Sequence, residues 1–328
     1  MIITVDKKTE EMEKEMRQLL KDEIKILKDS QKSPDLSEYY SYKAFKKAFY
    51  FYSEKGIKNK DILTAVLFTD EYSKKRLSLE YISKKFNENI IEYLLYFSGK
   101  KKNIFDTILI DGLRDSLSQK VNIINNHLLF NEKFKEQIEV AKNLLGDKMC
   151  LITDVPKIKY SAVLAELLFQ LSFPNILIFE ALFLDSYKYQ ETPLVRKKLQ
   201  EELGIETERK IFEDITPIID SSNDEKWLNK KARELERYTD RFSLAPNTRI
   251  LLLFDKILKV TQIDKEVLSR GNDFWKEYSG TGKENVAKYY LAMYEYLSRY
   301  ISSYQDIYSK YLGKYEDAIT KVFGRCLC

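Results

Sequence analysis

Histidine is nearly absent: the 328 residues hold one, His127. That excludes any metal or acid–base centre built on two imidazoles. Glycine (10) and proline (6) are also few, which disfavours a turn-rich β fold and favours long helices. The three cysteines, Cys150, Cys326 and Cys328, have no framework spacing, and an odd count of this kind predicts a reducing, cytoplasmic setting. No uninterrupted apolar run approaches the roughly 18 residues that suggest a membrane span. The opening MIITVDKKTEEMEKEMRQLL is charged and does not read as a signal peptide. Neither sign of charge dominates, with 55 Lys+Arg against 51 Asp+Glu, so no nucleic-acid partner is expected. There is no Walker loop, nucleophile elbow or His-rich motif.

Hydrophobic residues make up 44% and charged residues 32%, a globular composition rather than a disordered one. Residues 7–29 place Met12, Met16, Leu19, Leu20 and Ile24 on one helical face. Residues 29–37 carry Ser, Pro and Asp and read as a loop. A helical pattern then runs from Tyr39 to about Leu145, where Gly146-Asp147 is a stop signal. Met149 to Lys157 is the one candidate strand or extended linker, and a domain boundary is expected there. Helices dominate again from Lys159, broken near Pro174, Pro193, Gly204, Pro217, Pro246 and residues 271–282. The expected division is residues 1–34 (amphipathic helix), 35–150 and 151–328. Tyr (23) and Phe (18) are abundant. Tyr289, Tyr290, Tyr294, Tyr296 and Tyr300 read as core with hydroxyls at its edge. The run Lys100-Lys101-Lys102 reads as a solvated loop. Cys326-Leu327-Cys328 resembles a prenylated Cys-X-Cys ending but reads as a frayed tail.

An internal repeat is visible. Residues 61–70, DILTAVLFTD, and 175–185, NILIFEALFLD, are apolar helices that end in Asp. A helix precedes each, and a polar loop and a further amphipathic helix follow. Asp70 and Asp185 stand 115 residues apart. The arrangement resembles the HD superfamily, and within it the guanosine tetraphosphate hydrolase domains of the RelA/SpoT type. Leu79 to Ile90 is similar to that family's later helix, with Asn87 at its Gly place. In the second copy Leu199 to Ile205 holds this place through Leu203-Gly204. Leu252 to Leu258 (LLFDKIL) matches the closing motif, and Phe274-Trp275 through Tyr300 the final helix. In the first copy Ile108 to Asp115 is the candidate closing motif. The resemblance implies an all-α fold of two tandem HD-like units related by a pseudo-two-fold axis.

The resemblance also implies where metal ligands would stand: His, His, Asp and a distant Asp, a set that suits Mn or Fe. In the second copy these places hold Tyr160, Leu184, Asp185 and Asp255. In the first they hold Phe45, Thr69 and Asp70. The family's Glu-Asp pair is absent from both copies, and His127 lies outside all of these places. No metal or other cofactor is therefore expected, apart from weak Mg binding by the retained Asp185 and Asp255. Two buried carboxylates near each other would repel, and one would carry a raised pKa. Otherwise each would cap a helix or pair with a lysine such as Lys256 or Lys188. The expected function is a catalytically inactive module that senses a guanine nucleotide or binds a protein partner. The alternative is a Mg-dependent phosphohydrolase using Asp185 and Asp255. A pocket packed by Tyr160, Leu184 and Phe254 would exclude a ligand. A pocket lined by Lys188, Arg237, Arg241 or Lys256 would accept an anion.

Overall fold

A computed structural model describes residues 7–30, 34–101, 117–150, 155–219, 227–239, 244–271, 273–277, 282–299 and 304–324. Among them are seventeen α-helices and no strand. The chain divides into two compact units, Met1–Leu129 and Phe130–Cys328. The candidate closing motif at residues 108–115, the Cys326–Cys328 tail and Arg241 lie outside the described residues.

Unit 1 contains α1 (Lys7–Leu19), α2 (Lys21–Asp29), α3 (Pro34–Glu54), α4 (Lys60–Ser73), α5 (Leu79–Ser83) and α6 (Glu88–Phe97). The sequence pattern predicts one helix over residues 7–29, but the chain bends at Leu20, whose φ of −107° and ψ of 24° leave the helical region. Met16, Leu20 and Leu27 are buried in one core with Phe45, Ala48 and Phe49. The apolar stripe of α1 and α2 thus covers α3. From Ile62 to Phe68, where Thr64 is the one polar residue, α4 is buried without a break, as a stretch without a polar face must be. The Asn59 side chain starts it, accepting from Ile62 N at 3.0 Å.

Leu79 to Ile90 forms two helices rather than the one expected. Ser78 caps α5 by accepting from Tyr81 N at 3.1 Å, and Asn87 caps α6 by accepting from Ile90 N at 3.0 Å. Capping residues at both sites make the break local and chemical.

The division between units falls within α7 (Leu117–Lys133), not at Met149. The reason is aromatic packing. Phe134, which opens α8 (Lys135–Leu145), meets Phe169 and Phe179 edge to face, each at 5.8 Å, and Phe130 meets Phe169 at 5.8 Å. These rings tie α8 to α9 (Lys157–Gln170) and α10 (Asn175–Tyr189). The expected strand reduces to one antiparallel bridge, Met149 to Pro156.

Unit 2 continues with α11 (Thr192–Leu203), α12 (Ile205–Ile215), a 3₁₀ turn (Thr216–Ile218), α13 (Trp227–Thr239), α14 (Pro246–Arg270), α15 (Asp273–Glu277), α16 (Lys283–Ser298) and α17 (Gln305–Phe323). Its axis is α14, buried from Ile250 to Leu258. Phe254 packs on Tyr311 at 4.7 Å and edge-on to Phe173 at 5.8 Å. Glu208 of α12 is fully buried yet satisfied. It accepts from Tyr187 of α10 (3.0 Å) and from Arg196 (2.8 Å) and Gln200 (2.9 Å) of α11, which fixes three helices together. Moving α4 by the 115-residue offset places it on residues 175–188, and the observed α10 is Asn175–Tyr189. The Gly place likewise marks a break between helices in both units, at Asn87 and at Gly204.

Candidate anion-binding cavity

In unit 2 the structure brings together three of the residues singled out by spacing: Tyr160, Asp185 and Asp255. The Tyr160 hydroxyl donates to Asp255 Oδ1 at 2.8 Å and approaches the Asp255 carbonyl at 3.0 Å. α9 thus meets α14 through a buried polar contact. Burial, then the charges of Asp255 and Asp185, push the Tyr160 phenol well above its ordinary pKa, so it stays a donor. Tyr160 and Leu184, at the two places where the resemblance put the histidines, are buried, as is Phe254, and none of the three lines the cavity beside Asp255.

Asp255 did not become the proton-sharing partner that two facing carboxylates would require. Its Oδ2 accepts from Lys259 at 2.8 Å, one turn along α14, and lies 3.6 Å from Lys256 Nζ. Burial alone would raise its pKa, but the charges of Lys259, Lys188 and Lys256 outweigh that and hold the carboxyl well below the usual carboxylate range. A divalent ion at Asp255 would have to displace an ammonium group. No group of three or more His, Cys, Asp or Glu stands ready to hold a metal among the described residues.

Beside Asp255 opens a cavity of about 90 Å³, well above the roughly 10–15 Å³ that one water needs. Five lysines line it: Lys188 from α10, Lys230 and Lys231 from α13, and Lys256 and Lys259 from α14. Two carboxylates, Glu234 and Asp255, share the wall. Lys188 and Lys256 are where the sequence reading placed a basic lining. Arg237 is not in it: it lies exposed and donates to the Ile219 carbonyl at 2.8 Å.

The two carboxylates are already committed. Glu234 Oε1 accepts from Lys256 at 2.8 Å, Tyr289 at 2.8 Å and Tyr238 at 3.1 Å, while Lys231 pairs with its other oxygen. Burial opposes the Glu234 charge, but Lys231 and Lys256 overcome it and keep the pKa well below normal. Lys188 forms no ion pair or hydrogen bond with any described residue. Burial first, and the neighbouring Lys259 charge next, lower its pKa to about 8. Burial lowers Lys231 to about 8 as well, although Glu234 pulls the other way. The wall therefore carries more cation than its own acids neutralise, the condition for recruiting an anion.

In unit 1 the corresponding places make other contacts. Phe45 is core, with the Arg17 guanidinium 4.2 Å from its ring centre. The Thr69 hydroxyl turns back to donate to the Ala65 carbonyl at 2.6 Å. Asp70, half-exposed, pairs with Lys47 at 2.8 Å. Lys101 pairs with Glu92 at 2.6 Å, and Lys100 sits 3.8 Å from the ring centre of Tyr72. His127 is half-buried on α7.

Lys230, Lys231, Lys259, Glu234 and Tyr238 escaped the sequence reading. Lys256 and Lys259 are one helical turn on from Leu252 and Asp255 of the same motif, a spacing that could have found Lys259. The α13 residues had no motif at all. No protein-family model, no curated protein and no solved structure matches this chain. No helix among the described residues is long and apolar enough to cross a membrane.

Proposed function

We propose that this chain is a non-catalytic, HD-like helical protein whose second unit senses a small phosphorylated ligand, of the guanine nucleotide class, in the lysine-lined cavity beside Asp255. The observation that carries this reading is the lining itself, five lysines against two carboxylates that are each already engaged. Lysine ammonium groups bind phosphate as mobile point charges. A diphosphate or longer chain carries the several negative charges that such a wall neutralises, and the nucleoside would extend toward the mouth.

The HD-like part rests on two coincidences. Helix boundaries repeat at the 115-residue offset, and Tyr160, Asp185 and Asp255 meet around one point. On this reading the two units descend from one duplicated helical unit. By the same reading ammonium groups now hold the carboxylate that the family gives to its metal, so charge for phosphate binding persists while the hydroxide-generating ion does not. The unframed cysteines favour a cytoplasmic setting.

Thermal unfolding with guanosine tetraphosphate, GTP, GDP and ATP, each with Mn, with Mg and with chelator, tests the reading. A ligand at ~100 times its dissociation constant adds roughly 2.7 kcal/mol. The expected result is a rise in Tm for a guanine nucleotide that survives chelator. It should shrink in Lys188→Gln, which removes a cation from the cavity wall without breaking a hydrogen bond or a contact ion pair among the described residues. A shift seen only with metal, or none with any nucleotide, would overturn it.

A further inference from the structure

The cavity wall contains one amine unlike the others. Lys256, Lys259 and Lys231 each donate to a carboxylate of the wall. Lys188 lies half-buried at the end of α10, with no ion pair or hydrogen bond to any described residue. Asp255, its obvious counter-ion, already has Oδ1 on Tyr160 and Oδ2 on Lys259. Lys188 therefore faces ligand space with Lys259 and Lys256 as cationic neighbours and the carboxylates of Asp255 and Asp185 acting against them, and burial beside other cations is the setting that makes a lysine amine nucleophilic.

We infer that Lys188 Nζ is a covalent capture site for an aldehyde that carries a phosphate, the phosphate seating on the ammonium groups of Lys231, Lys256 and Lys259. This rests on the anion-binding reading of the same cavity. The chemistry is imine formation. The neutral amine attacks the carbonyl carbon, the N–C bond forms, and the C=O π pair moves onto oxygen. The developing alkoxide lies among the ammonium groups of Lys256 and Lys259, which stabilise it. A proton passes from nitrogen to that oxygen, the carbinolamine expels water, and the nitrogen lone pair closes C=N. One amine and one aldehyde give one imine and one water, with no oxidant or reductant. The supply of neutral amine is favourable: with a pKa of about 8, about a tenth of Lys188 is uncharged at pH 7, against roughly one in three thousand for an ordinary lysine. Lys231 titrates alike but has its lone-pair position tied to Glu234.

The test uses the full chain and pyridoxal 5′-phosphate, which combines an aldehyde with a phosphate. The adduct is fixed with borohydride and mapped by peptide mass spectrometry. At limiting reagent, Lys188 should be labelled roughly tenfold or more above the average lysine. Its labelling should have a midpoint near pH 8, be competed by inorganic phosphate, and vanish in Lys188→Arg and in Lys188→Gln. Pyridoxal, which lacks the phosphate, should label it weakly. Label scattered over many lysines while inorganic phosphate still raises the Tm overturns this inference alone. Equal labelling of Lys188 by pyridoxal, with no competition by phosphate, overturns it together with the anion-site reading.

Discussion

Asp255 and Glu180 are both buried carboxyls of unit 2, and their surroundings push them in opposite directions. Asp255 is ionised because Lys259 and Lys256 reach it and Tyr160 donates to it. Asp255→Asn keeps the shape but removes the counter-charge, and leaving buried ammonium groups uncompensated costs about 3–5 kcal/mol. Urea unfolding should report a loss of that order. Glu180 on α10 is fully buried, and neither of its oxygens has a donor at normal geometry; Asp214 Oδ2 on α12 is orphaned as well. A proton on Glu180 satisfies both by making it a donor to Asp214. Burial, reinforced by Asp214, raises the Glu180 pKa from 4.5 to about 9, with Lys210 and Asn247 opposing. Between these values the folded chain holds a proton that the unfolded chain has released. The stabilisation is therefore complete below the unfolded value and is lost as pH rises through about 9. Glu180→Gln, which cannot ionise, should flatten the fall in Tm between pH 5 and 9. An unchanged slope would show that Glu180 is not the proton holder.

At the scale of elements, the helices and their caps follow from local chemistry. Asn59, Ser78 and Asn87 each hold a side-chain oxygen on a backbone N–H three residues on, and such caps are written in the sequence. Gly204 separates α11 from α12 at φ 85° and ψ 157°, a region essentially restricted to glycine. No neighbouring atom would obstruct a Cβ there, so the cost of Gly204→Ala is backbone strain alone, about 1–3 kcal/mol. A chemical-denaturation midpoint would register it. The Leu79 to Ile90 segment shows the limit of pattern reading. Its apolar spacing suits one helix, but Asn87 gains more by capping a new helix than by lying within one.

For the molecule as a whole, the two units offer different surfaces to a ligand. Unit 2 has the lysine-lined cavity, whereas in unit 1 Asp70 is paired with Lys47 and Thr69 with its own backbone. Amide exchange with and without the nucleotide that raises the Tm should show added protection in α10, α13 and α14, with α1 to α6 unchanged. Protection confined to unit 1 would move the binding site away from the cavity.

The sequence by itself determined the all-α class, because periodic apolar stripes, few breakers and strong capping residues are local properties that each segment expresses alone. It also determined that no two-histidine centre exists, since one histidine cannot fill two places. It marked Tyr160, Asp185 and Asp255 through spacing. Only the tertiary structure decided that Asp255 is held by lysines rather than facing a second free carboxylate. Only it brought α13, a helix with no motif, to the wall of the cavity. Charge pairing and cavity lining depend on which helices pack together across long stretches of chain, and helical periodicity carries no record of that partner.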